Sequence, residues 1–198
     1  MRLGIYGGSF DPVHYGHLLL AEQCREQCQL DEIWFVPARQ SPLKASIPTL
    51  GKDRVEMLRF ATSGQRGFAV SGLELERDGV SWTVETLRQI KRLRPDDKLF
   101  LLIGADALRD FPSWREAEEI AALSTLVAVN RGDFAAESVL GALSETIRRK
   151  VRFVTMPGVA ISASDVRSRV ADGRSIRFFV PRAVEEYIRE HGLYRNRS

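Results

Sequence analysis

Two histidines three residues apart, His14 and His17, stand beside a glycine-bearing loop and have the side chains needed for phosphate chemistry. The loop, Gly7–Pro12, follows a short apolar stretch, Leu3–Tyr6, and a helical pattern begins near Gly16. A strand, a loop and a helix N-terminus in this order bring backbone N–H groups and the positive end of a helix dipole together, which suits an anion. Imidazoles beside that helix start can donate hydrogen bonds to phosphate oxygens. The stretch therefore predicts a phosphate-binding loop with two imidazole donors.

Other phosphate and catalytic motifs fit this chain poorly. The glycines at positions 4, 7 and 8 do not form Gly-x-Gly-x-x-Gly, and Gly51-Lys52 has Ser46 where a P-loop has its first glycine. No serine or cysteine has a histidine partner in a recognisable nucleophile arrangement, which disfavours covalent catalysis. The two histidines also lack an evident third ligand for a metal ion. Binding and alignment of phosphates is the chemistry that remains.

A second polar stretch, Ile161–Arg167, lies near the other end of the chain. Together with His-x-Gly-His, it resembles the signature of the nucleotidyltransferase superfamily that shares this loop with class I aminoacyl-tRNA synthetases. The stretch is similar to the Ile-Ser-Ser-Thr-x-x-Arg element of the adenylyltransferase branch, with Ala163 and Ser164 as mild departures. The Lys-Met-Ser-Lys-Ser-like loop of the synthetases does not occur in this sequence. The pair of motifs therefore favours the adenylyltransferase branch.

Three further stretches resemble nicotinate mononucleotide adenylyltransferases of the bacterial type, and with them the resemblance extends over essentially the whole chain. Ser81–Leu87 is similar to the Ser-Tyr-Thr-x-x-Thr-Leu stretch of that family, and Ile103–Trp114 carries its Gly-x-Asp and Trp elements at the right spacing. The ending Val180–Tyr194 also looks like the family's ending. One departure is Leu43 in Ser41–Lys44, where the family usually has the histidine of Pro-Pro-His-Lys.

The resemblance implies that the phosphate of nicotinate mononucleotide attacks the α-phosphorus of ATP in line, without a covalent enzyme intermediate. The products would be pyrophosphate and deamido-NAD (nicotinate adenine dinucleotide), as in NAD biosynthesis. His14 and His17 would be the catalytic residues, and Mg²⁺ would arrive on ATP rather than in a protein cage. The implied ATP-binding residues are Gly8, Ser9, Phe10, Ser162, Ser164 and Arg167, and the implied mononucleotide-binding residues are Arg39, Lys44, Thr83, Gly104, Asp106, Trp114 and Arg131.

Several of these roles have alternatives. Arg39 and Lys44 lie in the loop after the second predicted strand, where they are either solvated or in contact with phosphate. Trp114 either stacks on the pyridine ring or packs in the core, and Asp106 either binds ribose or adenine or caps a helix. The stretches around Thr83 and Trp114 disfavour a phosphopantetheine substrate but leave the acid and amide mononucleotides open. A different class of candidate is a non-catalytic nucleotide- or RNA-binding protein that uses the basic C-terminal third.

The elements that must position these residues alternate between strands and helices. This alternation predicts an α/β fold, a Rossmann-like open parallel sheet with helices on both faces, and Leu99–Ile103 is typical of its central strand. The nearly all-helical pattern from Ser162 predicts a small C-terminal cap, residues 162–198, within a single domain 1–198. The predicted helices include His17–Leu30, Trp82–Leu93 capped by Ser81, a helix to Leu123 opened by a capping box at Ser113–Glu116, Glu137–Lys150, and a helix opened by a capping box at Ser162–Asp165.

The composition is typical of one globular domain, with 198 residues of which 44% are hydrophobic and 28% charged. No apolar run approaches the ~20 residues of a membrane helix, and no charged-then-apolar leader opens the chain. We therefore expect a cytoplasmic protein without a membrane partner. From Arg148 onward basic residues outnumber acidic ones twelve to five. This excess suits an anion or nucleic acid, and the motifs favour ATP and a mononucleotide as the partners.

The last two properties concern the cysteines and the oligomeric state. Cys24 and Cys28, the two cysteines, lie four apart on one predicted helix face. Such a pair consists more often of buried free thiols than of a metal or redox site. Whether the chain is a monomer or a homo-oligomer is not determined by the sequence.

Overall fold

Six parallel strands form one sheet in the computed structural model, which describes residues 1–40, 49–131 and 139–196. In chain order the strands are β1 (Arg2–Gly8), β2 (Glu32–Pro37), β3 (Phe68–Val70), β4 (Lys98–Gly104), β5 (Ser124–Arg131) and β6 (Val151–Met156). Across the sheet the order is β3-β2-β1-β4-β5-β6, so the winding reverses between β1 and β4, where Leu3 is in register with Leu99. Sheets of this kind open a crevice at the carboxyl ends of the strands where the order reverses.

Helices connect the strands and cover both faces of the sheet. None of them, within the described ranges, is long and apolar enough to span a bilayer. They are α1 (Tyr15–Gln27), α2 (Gly51–Thr62), α3 (Thr83–Leu93), α4 (Ala105–Asp110), a 3₁₀ turn (Phe111–Ser113), α5 (Ala117–Leu123), α6 (Glu145–Arg148), α7 (Ala163–Ala171) and α8 (Arg182–Glu190).

Successive residues of the central strand β4 belong to two separate apolar clusters. Leu99, Leu101 and Ile103 pack with residues of α3, α4 and α5, whereas Phe100 and Leu102 pack with residues of α1, α2, α7 and α8. Because both faces of β4 are covered, its sequence is an unbroken apolar run rather than an alternating one. The α/β, Rossmann-like sheet with helices on both faces is therefore confirmed.

The C-terminal helices pack on the same face as α1 and α2. Val166 of α7 and Val184 and Ile188 of α8 are buried in that apolar cluster. The Tyr187 hydroxyl of α8 also donates a 2.9 Å hydrogen bond to Asp53 of α2. The helical segment predicted from Ser162 thus extends one helical layer of the sheet.

Two of the three predicted serine caps are wrong. The Ser81 hydroxyl accepts the Arg39 N–H at 3.0 Å, and α3 begins one residue later than predicted. The Ser113 hydroxyl donates to the Asp110 carbonyl at 2.6 Å, and α5 begins only after Glu116, which has a left-handed φ of 56°. In both cases the serine hydroxyl bonds to a group outside the predicted helix, and the local sequence pattern could not reveal that partner.

The third cap is confirmed, since the Ser162 hydroxyl accepts the Asp165 N–H at 3.0 Å and α7 begins at the next residue. The helix predicted over Glu137–Lys150 is interrupted in its described part, where residues 139–140 and Glu145–Arg148 are helical but the residues between them are not. There the chain turns at residues 141–143, and the Ser144 hydroxyl caps the short α6 by accepting the Ile147 N–H at 3.2 Å. A glycine at the turn and a good N-cap residue after it explain the interruption.

Candidate active site

The carboxyl ends of β1 and β4 lie side by side at the centre of the sheet, so the segments that follow them share one edge. The loop Ser9–His14 follows β1 and leads into α1, while α4 follows β4 directly after Gly104. The topology therefore places the first predicted motif at the crevice where ligands bind in sheets of this order.

His14 and His17 form the N-terminus of α1, which begins at Tyr15, two residues before the predicted start. His14 has an extended backbone and occupies the N-cap position, and its ring stacks on that of His17 with 3.7 Å between centroids. The His14 N–H donates to Nδ1 of His17 at 3.2 Å. Because Nδ1 is an acceptor, the neutral His17 ring carries its proton on Nε2, which is then its donor atom.

Gly16 explains the glycine of the His-x-Gly-His motif. A Cβ at this position would lie 3.1 Å from the His14 ring and 3.7 Å from the Ile161 carbonyl oxygen. The first of these contacts is tighter than side chains normally make, so a larger residue would displace the imidazole. Since Ile161 begins the second motif, Gly16 also marks the place where the two motifs meet.

Phe10 has a left-handed backbone (φ 48°), and its side chain is 1% exposed. Its ring packs against the rings of Tyr6, Phe35 and His17, with centroid distances of 5.3, 5.7 and 5.1 Å. A Cβ at Gly8 would lie 3.0 Å from this ring, so the glycine makes room for it. The ring of Phe10 therefore belongs to the core, and the role predicted for this residue falls to its backbone.

A buried arginine that the sequence motifs did not reveal bonds to the loop Ser9–His14. Arg54 of α2 is 1% exposed and donates to the Ser9 carbonyl from Nη1 and to the Thr49 carbonyl from Nε, each at 2.8 Å. Burial lowers the pKa of Arg54, and the nearby Asp11 carboxylate opposes that shift. The guanidinium thus ties the phosphate loop to the start of α2.

Replacement of Arg54 by methionine is expected to lower the free energy of unfolding by about 2 kcal/mol, because two partly buried carbonyls lose a charged donor. Urea denaturation followed by circular dichroism measures the change. The matched control is Arg59→Met on the same helix, where the exposed guanidinium pairs with Glu56 and the loss should stay below about 0.5 kcal/mol. Equal losses for the two variants would contradict the tie between Arg54 and the loop.

The second motif lies against the first. The Ser162 and Ser164 hydroxyls are 3.0 Å apart at the N-terminus of α7, and both residues are exposed. Arg167, one turn further along α7, donates from Nη1 to the carbonyl of Asp11 at 2.7 Å. The structure therefore brings two helix N-termini, hydroxyl groups and a guanidinium to the same side of the β1 loop, an arrangement suited to a polyphosphate.

A cavity of about 320 Å³ opens beside the end of β1 and the loop that follows it. Gly7, Gly8 and Ser9 form one part of its lining, and the beginning of α3 and the segment before α5 form other parts. Thr83 and Trp114, both predicted to bind the mononucleotide, lie in this lining. The volume and the mainly apolar walls suit a single aromatic ring with its sugar.

Aromatic and cationic groups meet at this cavity. Trp114 is partly buried, and its ring centroid lies 5.3 Å from that of Phe111. Trp82 also lines the cavity, and the guanidinium carbon of Arg115 lies 5.3 Å from the centroid of its ring. Arg115 was not among the predicted site residues, although its position next to Trp114 was a signal that could have suggested it.

A buried carboxylate forms part of the same wall. Glu74, 6% exposed, accepts a 2.6 Å hydrogen bond from the hydroxyl of Thr86, which in turn accepts one from Arg77 at 3.1 Å. Both Glu74 and Thr86 line the cavity. Glu74 lies between β3 and α3 in the sequence, and only the fold shows that its side chain is buried beside α3.

The remaining predicted site residues lie at different distances from this centre. Arg39 is exposed and contacts the Leu75 carbonyl and the Asp78 carboxylate, so its guanidinium is held by the segment after β3. Gly104 is the N-cap of α4, and Asp106 is exposed in its first turn, so Asp106 is not the helix cap. Lys44 lies outside the described residues, as does the side chain of Arg131 at the end of β5.

The two cysteines are buried free thiols, as predicted. Burial raises the pKa of both thiols, so neither is a reactive thiolate at neutral pH. Within the described ranges, no group of three or more His, Cys, Asp and Glu residues is arranged to hold a metal ion.

Comparison with known proteins identifies the family. A family model described as cytidylyltransferase-like matches residues 5–169. A probable nicotinate-nucleotide adenylyltransferase of Thermus thermophilus is 45% identical over 98% of this chain and 100% of its own length. That of Thermomicrobium roseum is 44% identical over 98% of this chain and 92% of its own length.

Solved structures show the same fold. The structure of Plasmodium falciparum nicotinic acid mononucleotide adenylyltransferase complexed with NaAD superposes with a TM-score of 0.76, covering 98% of this chain and 97% of the other at 24% identity. A putative nicotinate-nucleotide adenylyltransferase from Vibrio parahaemolyticus gives a TM-score of 0.70 at 19% identity, covering 100% and 98%. At these identities the likeness is one of fold.

Proposed function

The chain belongs to the cytidylyltransferase-like family, in its nicotinate-nucleotide adenylyltransferase branch, and from that premise we propose that it joins ATP and nicotinate mononucleotide. The products are nicotinate adenine dinucleotide and pyrophosphate, as required in NAD biosynthesis, and we place the reaction in the cytoplasm. The observation that carries the proposal is the meeting of the two phosphate motifs at Gly16, beside a cavity lined by Trp114.

The proposed reaction requires the protein to align two polyanions rather than to supply a nucleophile. The attacking phosphate is already anionic near neutral pH, so no general base is needed. The protein must hold the two substrates in line and stabilise the charge at the α-phosphorus and on the leaving pyrophosphate. Hydrogen-bond donors and cations do this, and such groups make up both motifs.

We assign ATP to the cleft between the two motifs, which meet at Gly16. His14 and His17 would donate to its phosphate oxygens, with His17 using Nε2, and the amides of Gly8, Ser9 and Phe10 would line its path. The β- and γ-phosphates would lie at the start of α7, where Ser162, Ser164 and Arg167 add to the helix dipole. We propose that Mg²⁺ enters with ATP as MgATP and reduces the repulsion between the substrates.

The mononucleotide is assigned to the cavity. Trp114 would stack on the pyridine ring and Thr83 would hydrogen-bond near its carboxylate. Gly104 permits a close approach, and Asp106 would bind the ribose. The basic residues Arg39, Lys44 and Arg131 are the remaining proposed contacts of the mononucleotide, through its phosphate for Arg39 and Lys44.

The decisive experiment is to incubate the purified chain with MgATP and either nicotinate mononucleotide or its amide form, and to measure pyrophosphate and the dinucleotide. We expect both products, with a higher kcat/KM for the acid. Absence of pyrophosphate with either mononucleotide would overturn the proposal. Steeply salt-dependent RNA binding without pyrophosphate release would instead favour the non-catalytic RNA-binding alternative.

Replacement of Arg115 by alanine is expected to lower the acid-over-amide ratio of kcat/KM about tenfold, because a cation at the cavity attracts the nicotinate carboxylate but not a neutral carboxamide. Steady-state kinetics with the two mononucleotides measure the ratio. Arg109→Ala on α4, an exposed arginine outside the cavity lining, is the matched control and should leave the ratio unchanged. The same ratio in Arg115→Ala and wild type would exclude Arg115 from this selection.

A further inference from the structure

Asp11 is a buried carboxylate inside the phosphate loop that bonds to three segments distant in sequence. Its Oδ2 accepts the Thr49 N–H at 3.2 Å, its Oδ1 accepts the Tyr194 hydroxyl at 2.7 Å, and its backbone carbonyl accepts Nη1 of Arg167 at 2.7 Å. Asp11 is 8% exposed and stands three residues before His14. The position of the loop is therefore coupled to the segment before α2, to the second motif and to the end of the chain.

The chain after α8 is shaped so that Tyr194 reaches this carboxylate. Gly192 has a left-handed φ of 58°, the Leu193 N–H returns to the Ile188 carbonyl at 3.0 Å, and Tyr194 itself has a φ of 64°. A left-handed conformation is unfavourable for a tyrosine, so the contacts of its side chain must outweigh that cost. The ring packs against the apolar cluster that contains Val166 and Ile188, and only its hydroxyl extends to the loop.

The protonation state of Tyr194 favours a lasting bond. Burial, followed by the neighbouring Asp11 charge, raises the pKa of Tyr194 far above its usual value. The hydroxyl therefore remains a donor throughout the neutral range, and a hydrogen bond from it to an ionised carboxylate is of the strong, charge-assisted kind.

We propose that Tyr194 is a positioning residue for ATP binding, which acts through Asp11 to hold the loop Ser9–His14 against the start of α7. Without the Tyr194 hydroxyl, Asp11 would keep its bonds to Thr49 and Arg167 but lose its bond to the end of the chain, and the backbone leading to His14 would be held less firmly. The two motifs must present their donors to the same polyphosphate, and displacements of about 1 Å are enough to weaken catalysis strongly. This inference rests on the proposed function, since it assigns the polyphosphate of ATP to the cleft between the motifs.

The fold provides a matched control in a second tyrosine–aspartate pair. The Tyr187 hydroxyl donates to Asp53 Oδ1 at 2.9 Å, Asp53 is also buried, and burial together with this hydrogen bond raises the pKa of Tyr187 to about 12. This pair also joins the C-terminal segment to another element, but Asp53 belongs to α2 and is part of neither motif. The two pairs therefore differ in what they position rather than in the kind of bond.

The test compares Tyr194→Phe with Tyr187→Phe in the full chain. Both variants should lose a few degrees of Tm. Only Tyr194→Phe should raise the Kd and the KM for MgATP, each by about five- to tenfold, while the mononucleotide KM stays within about twofold. A Tyr194→Phe protein whose MgATP constants match those of Tyr187→Phe would overturn the inference. So would a parallel loss toward both substrates, because that is the mark of a general structural role.

Two additions keep the outcomes distinct. Asp11→Asn keeps one oxygen acceptor for two donors, the Tyr194 hydroxyl and the Thr49 N–H, so we expect the MgATP Kd to rise at least as much as in Tyr194→Phe. A MgATP Kd in Asp11→Asn equal to that of wild type would contradict the assignment of the effect to this bond. Wild-type protein that binds MgATP but releases no pyrophosphate would refute the proposed function, whereas the Kd comparison would still decide the role of Tyr194.

Discussion

Replacing His17 by alanine is expected to lower kcat by about 10²–10³-fold while the fold remains intact, the scale observed when one preorganised oxyanion donor is lost. The Nδ1 atom of His17 accepts the His14 N–H, which places the donor proton on Nε2. Without this donor, the charge that develops around the α-phosphorus would still be stabilised by the loop amides but no longer by the His17 imidazole. The ring of His17 is only partly buried, so its removal should cost little stability.

Two further variants make this prediction specific. His17→Gln, whose amide can also donate, should recover part of the lost kcat. His191→Ala serves as the control, because this exposed histidine stacks on Tyr187 at the end of α8, away from either motif. Rapid measurement of pyrophosphate at saturating MgATP and mononucleotide gives kcat, and thermal melts verify folding. A kcat for His17→Ala within a few-fold of wild type would exclude the imidazole from the chemistry.

The fold was predictable because its dominant signals are local. The apolar run Leu99–Ile103 and the alternation of strands with helices require only that each segment bury a continuous apolar surface. The cap at Ser162 was equally local, since its hydroxyl bonds to an N–H three residues ahead. Ser81 has the same residue type in a similar pattern, but the approach of Arg39 from the end of β2 decides its partner. No local pattern contains that information.

The candidate site, like the fold, contains some residues that a local sequence pattern reveals and others that it does not. The motifs around His14 and Ser162 are recognisable because phosphate binding requires particular residue types at fixed spacings. Asp11 and Arg54 were missed because their roles depend on partners far away in sequence, such as the 45 residues between Arg54 and Ser9. An arginine in an amphipathic helix is expected on the solvated face, and only the tertiary fold shows that this one is buried.

Trp114→Ala is expected to raise the KM for nicotinate mononucleotide by about 10–100-fold, as stacking of a base on an aromatic side chain is worth about 1–3 kcal/mol. The KM for MgATP should stay within about twofold, because His14, His17 and the second motif are not among the residues that line the cavity with Trp114. This split between substrates follows from the proposed assignment of ATP to the two phosphate motifs and of the mononucleotide to the aromatic cavity.

Trp34→Ala separates stacking from packing. Trp34 of β2 is partly buried against the same apolar cluster as Trp114, but it contacts Arg94 rather than the cavity, with the guanidinium 5.8 Å from the centroid of the tryptophan ring. Both variants should lose stability, since both remove large apolar surface. Only Trp114→Ala should change the mononucleotide KM. If Trp114→Ala instead lost as much stability as Trp34→Ala with an unchanged KM, Trp114 would be a core residue, and recognition of the pyridine ring would fall to Trp82 on the same wall.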